Sequence, residues 1–211
     1  MIMLENDLKH YWTTLHLPLA ADVSLADQQY DQLTLLYSGE QRYYHNLLHL
    51  RQLITLLETH REHIRDKATL LWAIFFHDII YNVLYKDNEE RSAKAAAAYL
   101  SQIGYPPEKI MLVSEFIYAT KTHINTLNSP DLDYFLDFDL HILGASPEVY
   151  REYAQQIRKE YAIYHDQVYN PGRKKVLRHF LEMPGIFRTP VFRELYEENA
   201  RRNLRAELNT L

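Results

Sequence analysis

Two short stretches place imidazoles and a carboxylate inside strongly apolar surroundings: RYYHNLLHL (42–50) and FFHDIIY (75–81). His45 and His49 are four residues apart, so on a helix spanning 44–60 they share one side. His49 lies on a face with Leu53 and Leu56 and is expected to look into the core. His45, nearer the helix start, suits either a third metal ligand or a proton donor. On a helix over 66–84, Leu71, Ile74 and Phe75 form an apolar stripe, and Asp78 falls on the same face, so its carboxylate is expected to point inward. An ionised carboxylate buried alone costs several kcal/mol. Asp78 therefore needs a cation, strong donors or a metal, and its neighbour His77 makes a metal the economical choice. The plainer alternative is a satisfied core histidine beside a salt-bridging aspartate.

A further carboxylate comes from YFLDFDLHILG (134–144), where two aspartates two residues apart cannot share a helix face. Asp139 has Phe135, Leu136, Ile142 and Leu143 at its three- and four-residue positions, whereas Asp137 has Asp133, Tyr134, Leu140 and His141. Asp139 is accordingly expected to be the buried one.

Apolar spacing of three and four recurs along most of the chain and sustained alternation is absent, which predicts an all-α, single-domain helical bundle. The predicted helices span 4–16, 24–37, 44–60, 66–84, 89–103, 107–125, 132–143, 147–168, 171–183 and 190–208. Turn or cap sequences separate them at SGE (38–40), GYPPE (104–108), NSPD (128–131), GASPE (144–148), NPG (170–172) and MPG (183–185). The run AKAAAAY (93–99) reads as a helix packing closely on a neighbour. The charged amphipathic segment at the end of the chain either closes the bundle, the preferred reading, or pairs with a second copy in a homodimer.

A chain of 211 residues with 47% apolar and 24% charged residues and only 5 Gly is expected to fold around a real core. With no cysteine, any metal must be held by His, Asp and Glu. A formal charge of −5 without a basic stripe speaks against a nucleic-acid surface. The apolar run 70–85 is too short and interrupted to span a bilayer. The first residues lack a secretory pattern, so a cytoplasmic location is expected.

Taken together, His49, His77–Asp78 and Asp139 on three helices resemble the HD-domain superfamily of metal-dependent phosphohydrolases. YHNLLH is similar to the YHNxxH signature of cyclic nucleotide phosphodiesterases. More narrowly, RxYHxxxH, FHDxxY, NEExSA and DxDLxxLG resemble the small stand-alone bacterial predicted HD phosphohydrolases. The resemblance covers about 42–144, with helices 147–211 packing on that core. It implies His49, His77, Asp78 and Asp139 as metal ligands and His45 as general acid. Phosphodiesterases continue past the His-Asp pair with a further histidine, where this chain offers Asn88, Glu89 and Glu90.

The implied activity is hydrolysis of a phosphate ester, in a nucleotide or related small metabolite, by a metal-activated water. Asp78 thus has a catalytic as well as a ligand role. The mixed nitrogen and oxygen donors suit Mn, Fe, Co, Ni or Zn, and a second, oxygen-rich position bridged by Asp78 suits Mg or Mn. The substrate phosphate calls for cations, with Arg42, Lys121, Arg158 and Arg173 as candidates at the rim. His123 reads as a second-metal ligand, a phosphate contact or a capping residue. Glu89 occupies a first-turn position that the helix dipole favours without any catalytic purpose. The remaining histidines, His10, His16, His60, His63, His141, His165 and His179, are assigned no role and are read as mostly sitting among charged or solvent-facing residues. Two rival readings are a mixed-valent di-iron oxygenase, which needs more histidine ligands, and a non-catalytic regulatory module that keeps its metal for stability.

Overall fold

The computed structural model describes residues 2–19 and 22–211, with side chains from Asp7 onward. Every regular element among them is helical, as the apolar spacing predicts: α1 (Ile2–His16), α2 (Val23–Tyr37), α3 (Leu47–Thr59), α4 (Lys67–Phe76), α5 (Asn88–Gln102), α6 (Pro107–Ala119), α7 (Pro130–Leu140), α8 (Pro147–Glu160), α9 (Asp166–Glu182), a single turn α10 (Pro190–Phe192) and α11 (Glu198–Thr210). A π-helical segment, Arg193–Glu197, joins α10 to α11 without a break in helical backbone. No described helix is long and apolar enough to cross a membrane. The chain divides into two compact units, Met1–Phe135 and Leu136–Leu211, and the division falls within α7.

In the first unit α4 is the central element. All of Thr69–Phe76 is buried, and α3, α5 and α6 pack around it. A helix apolar on every side is what such a position requires. Trp12 of α1 packs edge-on against Trp72 and Phe75, with ring centroids 5.3 Å apart in each case. The start of α4 is held from two sides. Asp66 caps it by accepting from the Thr69 amide, and Asp131 of α7 accepts from the amides of Arg65 (2.9 Å) and Asp66 (2.7 Å). The alanine run lies on α5, where Ala93 and Ala96 are buried and let α6 approach.

Several predicted helices are bounded differently. The one expected over 66–84 stops at Phe76, because tertiary partners take over its backbone groups. The Asp78 amide donates to the Tyr37 hydroxyl, and the Asp78 and Ile79 carbonyls accept from Arg42. The helix expected over 107–125 stops at Ala119, and His123 turns the chain with a positive φ of 53°. The one expected from 44 begins at Leu47, capped by the Asn46 side chain on the Leu48 amide at 2.9 Å. That leaves His45 outside the helix.

In the second unit α11 packs on α8, α9 and the short 3-10 turn His141–Gly144. Arg173 of α9 forms a two-pronged pair with Glu207 of α11 at 2.7 and 2.9 Å, and the Tyr150 hydroxyl donates to the same carboxylate. Gly144 is required by close approach, since a Cβ there would lie 2.5 Å from Cβ of Tyr196. The predicted break at NPG does not occur. Pro171 lies inside α9, and the chain turns earlier, at 161–165, where Arg158 binds the carbonyls of Tyr161 and Tyr164.

Candidate metal centre

His49 sits in the first turn of α3, after the Asn46 cap, and His77 follows the last residue of α4; each is 1% exposed. Their Nε2 atoms are 3.2 Å apart. Nδ1 of His77 is 2.9 Å from the carbonyl of Ile74, and a carbonyl only accepts, so Nδ1 carries the proton. In the neutral ring, Nε2 of His77 then presents a lone pair. Nε2 of His49 and Oδ2 of Asp78 each lie 3.2 Å from that nitrogen. Electron-rich atoms gathered this way in the interior match the needs of a divalent cation, and the carbonyl bond on the far side of the ring is the usual support of a ligating histidine.

A third candidate ligand comes from α7. Phe135 on that helix packs edge-on against the His77 ring at 5.8 Å, and Asp139 lies one turn further along the same helix. His49, His77 and Asp139 each offer one ligand atom, and these lie within 4.8 Å of one another, a buried group that can hold a metal ion.

The two aspartates of α7 correct the sequence reading. Asp137 is fully buried, whereas Asp139 is only half-buried. The Asp137 carboxylate is satisfied by protein donors: the amides of Arg188 (2.7 Å) and Thr189 (2.8 Å) and the Thr189 hydroxyl (2.7 Å). It anchors the start of α10, where Thr189 is the capping residue. Asp137 does follow half-buried Asp133 and Tyr134 on one side of α7, but Arg188 and Thr189 cover it there.

His45 lies just outside α3. Its ring stacks on Tyr81, with centroids 4.3 Å apart and planes 29° from parallel, and meets the His49 ring edge-on at 5.9 Å. Asp78 is also outside any helix, with its side chain 18% exposed, so it opens toward solvent more than a helix over 66–84 implies. Glu89, at the start of α5, is half-buried. Burial pushes its carboxyl pKa up and the Asp78 charge adds to this, against the opposing pull of its own amide and Lys121. Glu89, Asp78 and Lys121 thus share one electrostatic neighbourhood.

The four cations expected at a rim are held by protein groups. Lys121 donates to Glu90 and to the Lys86 carbonyl. Arg158 pairs with Asp166 and closes the turn between α8 and α9. Arg173 is buried against Glu207, which corrects its reading as a rim residue. Arg42 binds the carbonyls of His45, Asp78 and Ile79. His123 is half-buried at its positive-φ turn. Of the histidines given no role, His16 is not solvent-facing. It is 7% exposed, with Nδ1 donating to the Trp12 carbonyl and Nε2 accepting from the Tyr99 hydroxyl.

Two residues at the centre were not singled out from sequence: Tyr37, which bonds the Asp78 amide, and Tyr81, which supports His45. Only Tyr81 carried a signal, as the tyrosine four residues after His77 in FHDxxY. No family model, curated protein or solved structure matches this chain.

Proposed function

We propose that the protein is a metal-dependent phosphohydrolase of the HD-domain type, acting on a phosphate ester of a nucleotide or related small metabolite. The observation that carries this reading is the convergence of ligand atoms from His49, His77 and Asp139, with Asp78 beside His77. The donor set fits a divalent ion of the Mn, Fe, Co, Ni or Zn kind. It mixes borderline imidazole nitrogens with hard carboxylate oxygens and contains no thiolate. When bound, such an ion supplies charge neutralisation for phosphoryl oxygens and lowers the pKa of water.

The chain's own groups supply the rest. His49 and His77, held by α3 and by the Ile74 carbonyl, present nitrogen ligands in fixed orientation. Asp78, half-buried at the edge, orients the attacking water and accepts its proton, or adds an oxygen to a second position that suits Mg or Mn. His45, kept against the Tyr81 ring and outside the ligand group, delivers a proton to the departing alkoxide. The motif resemblance of YHNLLH and FHDIIY supports this assignment of roles. A panel of phosphomonoesters, cyclic nucleotides and nucleoside triphosphates, assayed with Mn, Co, Ni and Mg, tests it. Metal-dependent release of phosphate or nucleoside monophosphate that vanishes in His77→Ala is expected. A metal-loaded protein inert to the whole panel contradicts the hydrolase assignment.

A further inference from the structure

We infer that Arg42 is a positioning residue that sets the spacing of the metal ligands by clamping two chain segments together, rather than a cation for substrate phosphate. This rests on the reading that His49 and His77 hold a divalent ion.

The clamp acts at the end of α4. The last carbonyls of a helix have no partner within it, and a positive group there is favoured by the helix dipole. In this chain the residues just past that end are His77 and Asp78. The Arg42 guanidinium meets them with Nη1 2.7 Å from the Asp78 carbonyl and Nη2 2.9 Å from the Ile79 carbonyl. Nη1 also donates to the His45 carbonyl at 3.0 Å, immediately before the cap of the helix that carries His49. One planar cation therefore joins the entrance of α3 to the exit of α4. Both protons of Nη1 and one of Nη2 are spent on main-chain oxygens.

The guanidinium is also held in place. Its carbon lies 4.8 Å from the ring centre of Tyr37 and 5.5 Å from that of Tyr81. Tyr37 grips the same segment from the other side, donating its hydroxyl to the Phe75 carbonyl and accepting from the Asp78 amide, each at 3.2 Å. The Asp78 residue is thus pinned at both its N–H and its C=O. Tyr81 is in turn the ring on which His45 stacks. The 3.2 Å separation of the two Nε2 atoms is set by this clamp, because one guanidinium bonds the backbone of both His45 and Asp78. A lysine cannot reproduce it. A single ammonium lacks the planar fork that reaches three carbonyls while lying against aromatic rings.

The test is a titration of chelator-stripped protein with Mn²⁺ alone, read by calorimetry and by electron paramagnetic resonance, on wild type, Arg42→Lys, Tyr37→Phe and Arg91→Lys. Supporting groups behind metal ligands typically change affinity about 10- to 100-fold. Arg42→Lys is expected to weaken Mn²⁺ by that factor and to alter its resonance spectrum, with Tyr37→Phe giving a smaller loss in the same direction. Arg91→Lys changes another tyrosine-stacked arginine, this one paired with Asp87 on the exposed side of α5, and is expected to bind as wild type does. Wild-type Mn²⁺ affinity and spectrum in both Arg42→Lys and Tyr37→Phe would overturn the clamp while leaving the metal centre standing. Should Arg42→Lys not fold, the Tyr37→Phe result decides alone. A wild-type protein that binds no Mn²⁺ would instead overturn the metal centre, and the clamp's role with it.

Discussion

Nε2 of His49 and Nε2 of His77 face each other across 3.2 Å in the interior, and the Ile74 carbonyl fixes the proton of His77 on the opposite side of its ring. Two imidazoles brought this close, with Asp139 beside them, can hold a cation in common. Whatever binds the folded chain and not the unfolded one stabilises it, by about 2.7 kcal/mol at a hundred times Kd. For a chain of this size that raises Tm by about 5–11 °C. Thermal melts with added Mn²⁺, Co²⁺ or Zn²⁺ are expected to show such a rise in wild type and none in His49→Ala.

His45 and His77 are expected to separate by function. His45 stacks on Tyr81 outside the ligand group. His45→Ala should keep its metal and lose turnover by about 10²–10⁴-fold, the usual worth of a positioned proton donor. His77→Ala should lose both together. Loss of metal from His45→Ala would make His45 a ligand and end its assignment as acid.

The two aspartates of α7 differ in the opposite sense. Asp137→Ala strands two amides and a hydroxyl that now bond its carboxylate. A loss of about 3 kcal/mol is expected in urea unfolding, with metal binding per folded molecule retained. Asp139→Ala is expected to unfold within about 1 kcal/mol of apo wild type and to bind metal far more weakly. The reverse pattern would exchange their roles.

Acid should weaken the fold through His16. Burial pushes its pKa below the ordinary value of 6.5, with the Trp12 carbonyl opposing and Lys9 adding to the depression. The folded chain therefore favours the neutral ring. Its contribution is complete above about pH 6.5 and is lost as pH falls through the depressed folded value, at up to about 1.4 kcal/mol per pH unit. Urea unfolding of the metal-free protein between pH 7.5 and 5.5 should show that slope reduced in His16→Phe, which is less stable throughout because the Tyr99 hydroxyl loses its acceptor. An unchanged slope would remove His16 from the account.

These residues also mark what a sequence can and cannot reveal. The periodicity of α3 placed His49 in the core correctly, because α3 has one buried face, with Leu50, Leu53 and Leu57, and one wet face. On α4 the same reasoning has no phase to work with, since the helix is buried on every side, and on α7 it misses that Arg188 and Thr189, 51 and 52 residues on, cover Asp137. The relative burial of Asp137 and Asp139 drawn from it was accordingly reversed, while Asp139 does turn its carboxylate toward His49 and His77. The early end of α4 was hidden because its cause, Arg42 and Tyr37 binding main-chain groups of residues 75, 78 and 79, lies 36 to 41 residues upstream and leaves no mark in the local pattern. Pro171 was read as a break, but a hydrogen-bonded turn at 161–165 had already reset the chain, so the proline falls within a helix.

The central claim is that His49, His77 and Asp139 hold one divalent ion. Elemental analysis of protein purified without chelator, beside the His49→Ala and His77→Ala variants, tests it most directly. The account predicts close to one bound transition metal per wild-type chain, or stoichiometric uptake of Mn²⁺ on reconstitution, and neither in the two variants. Wild-type protein that remains metal-free through reconstitution, or variants that bind metal as wild type does, would contradict it.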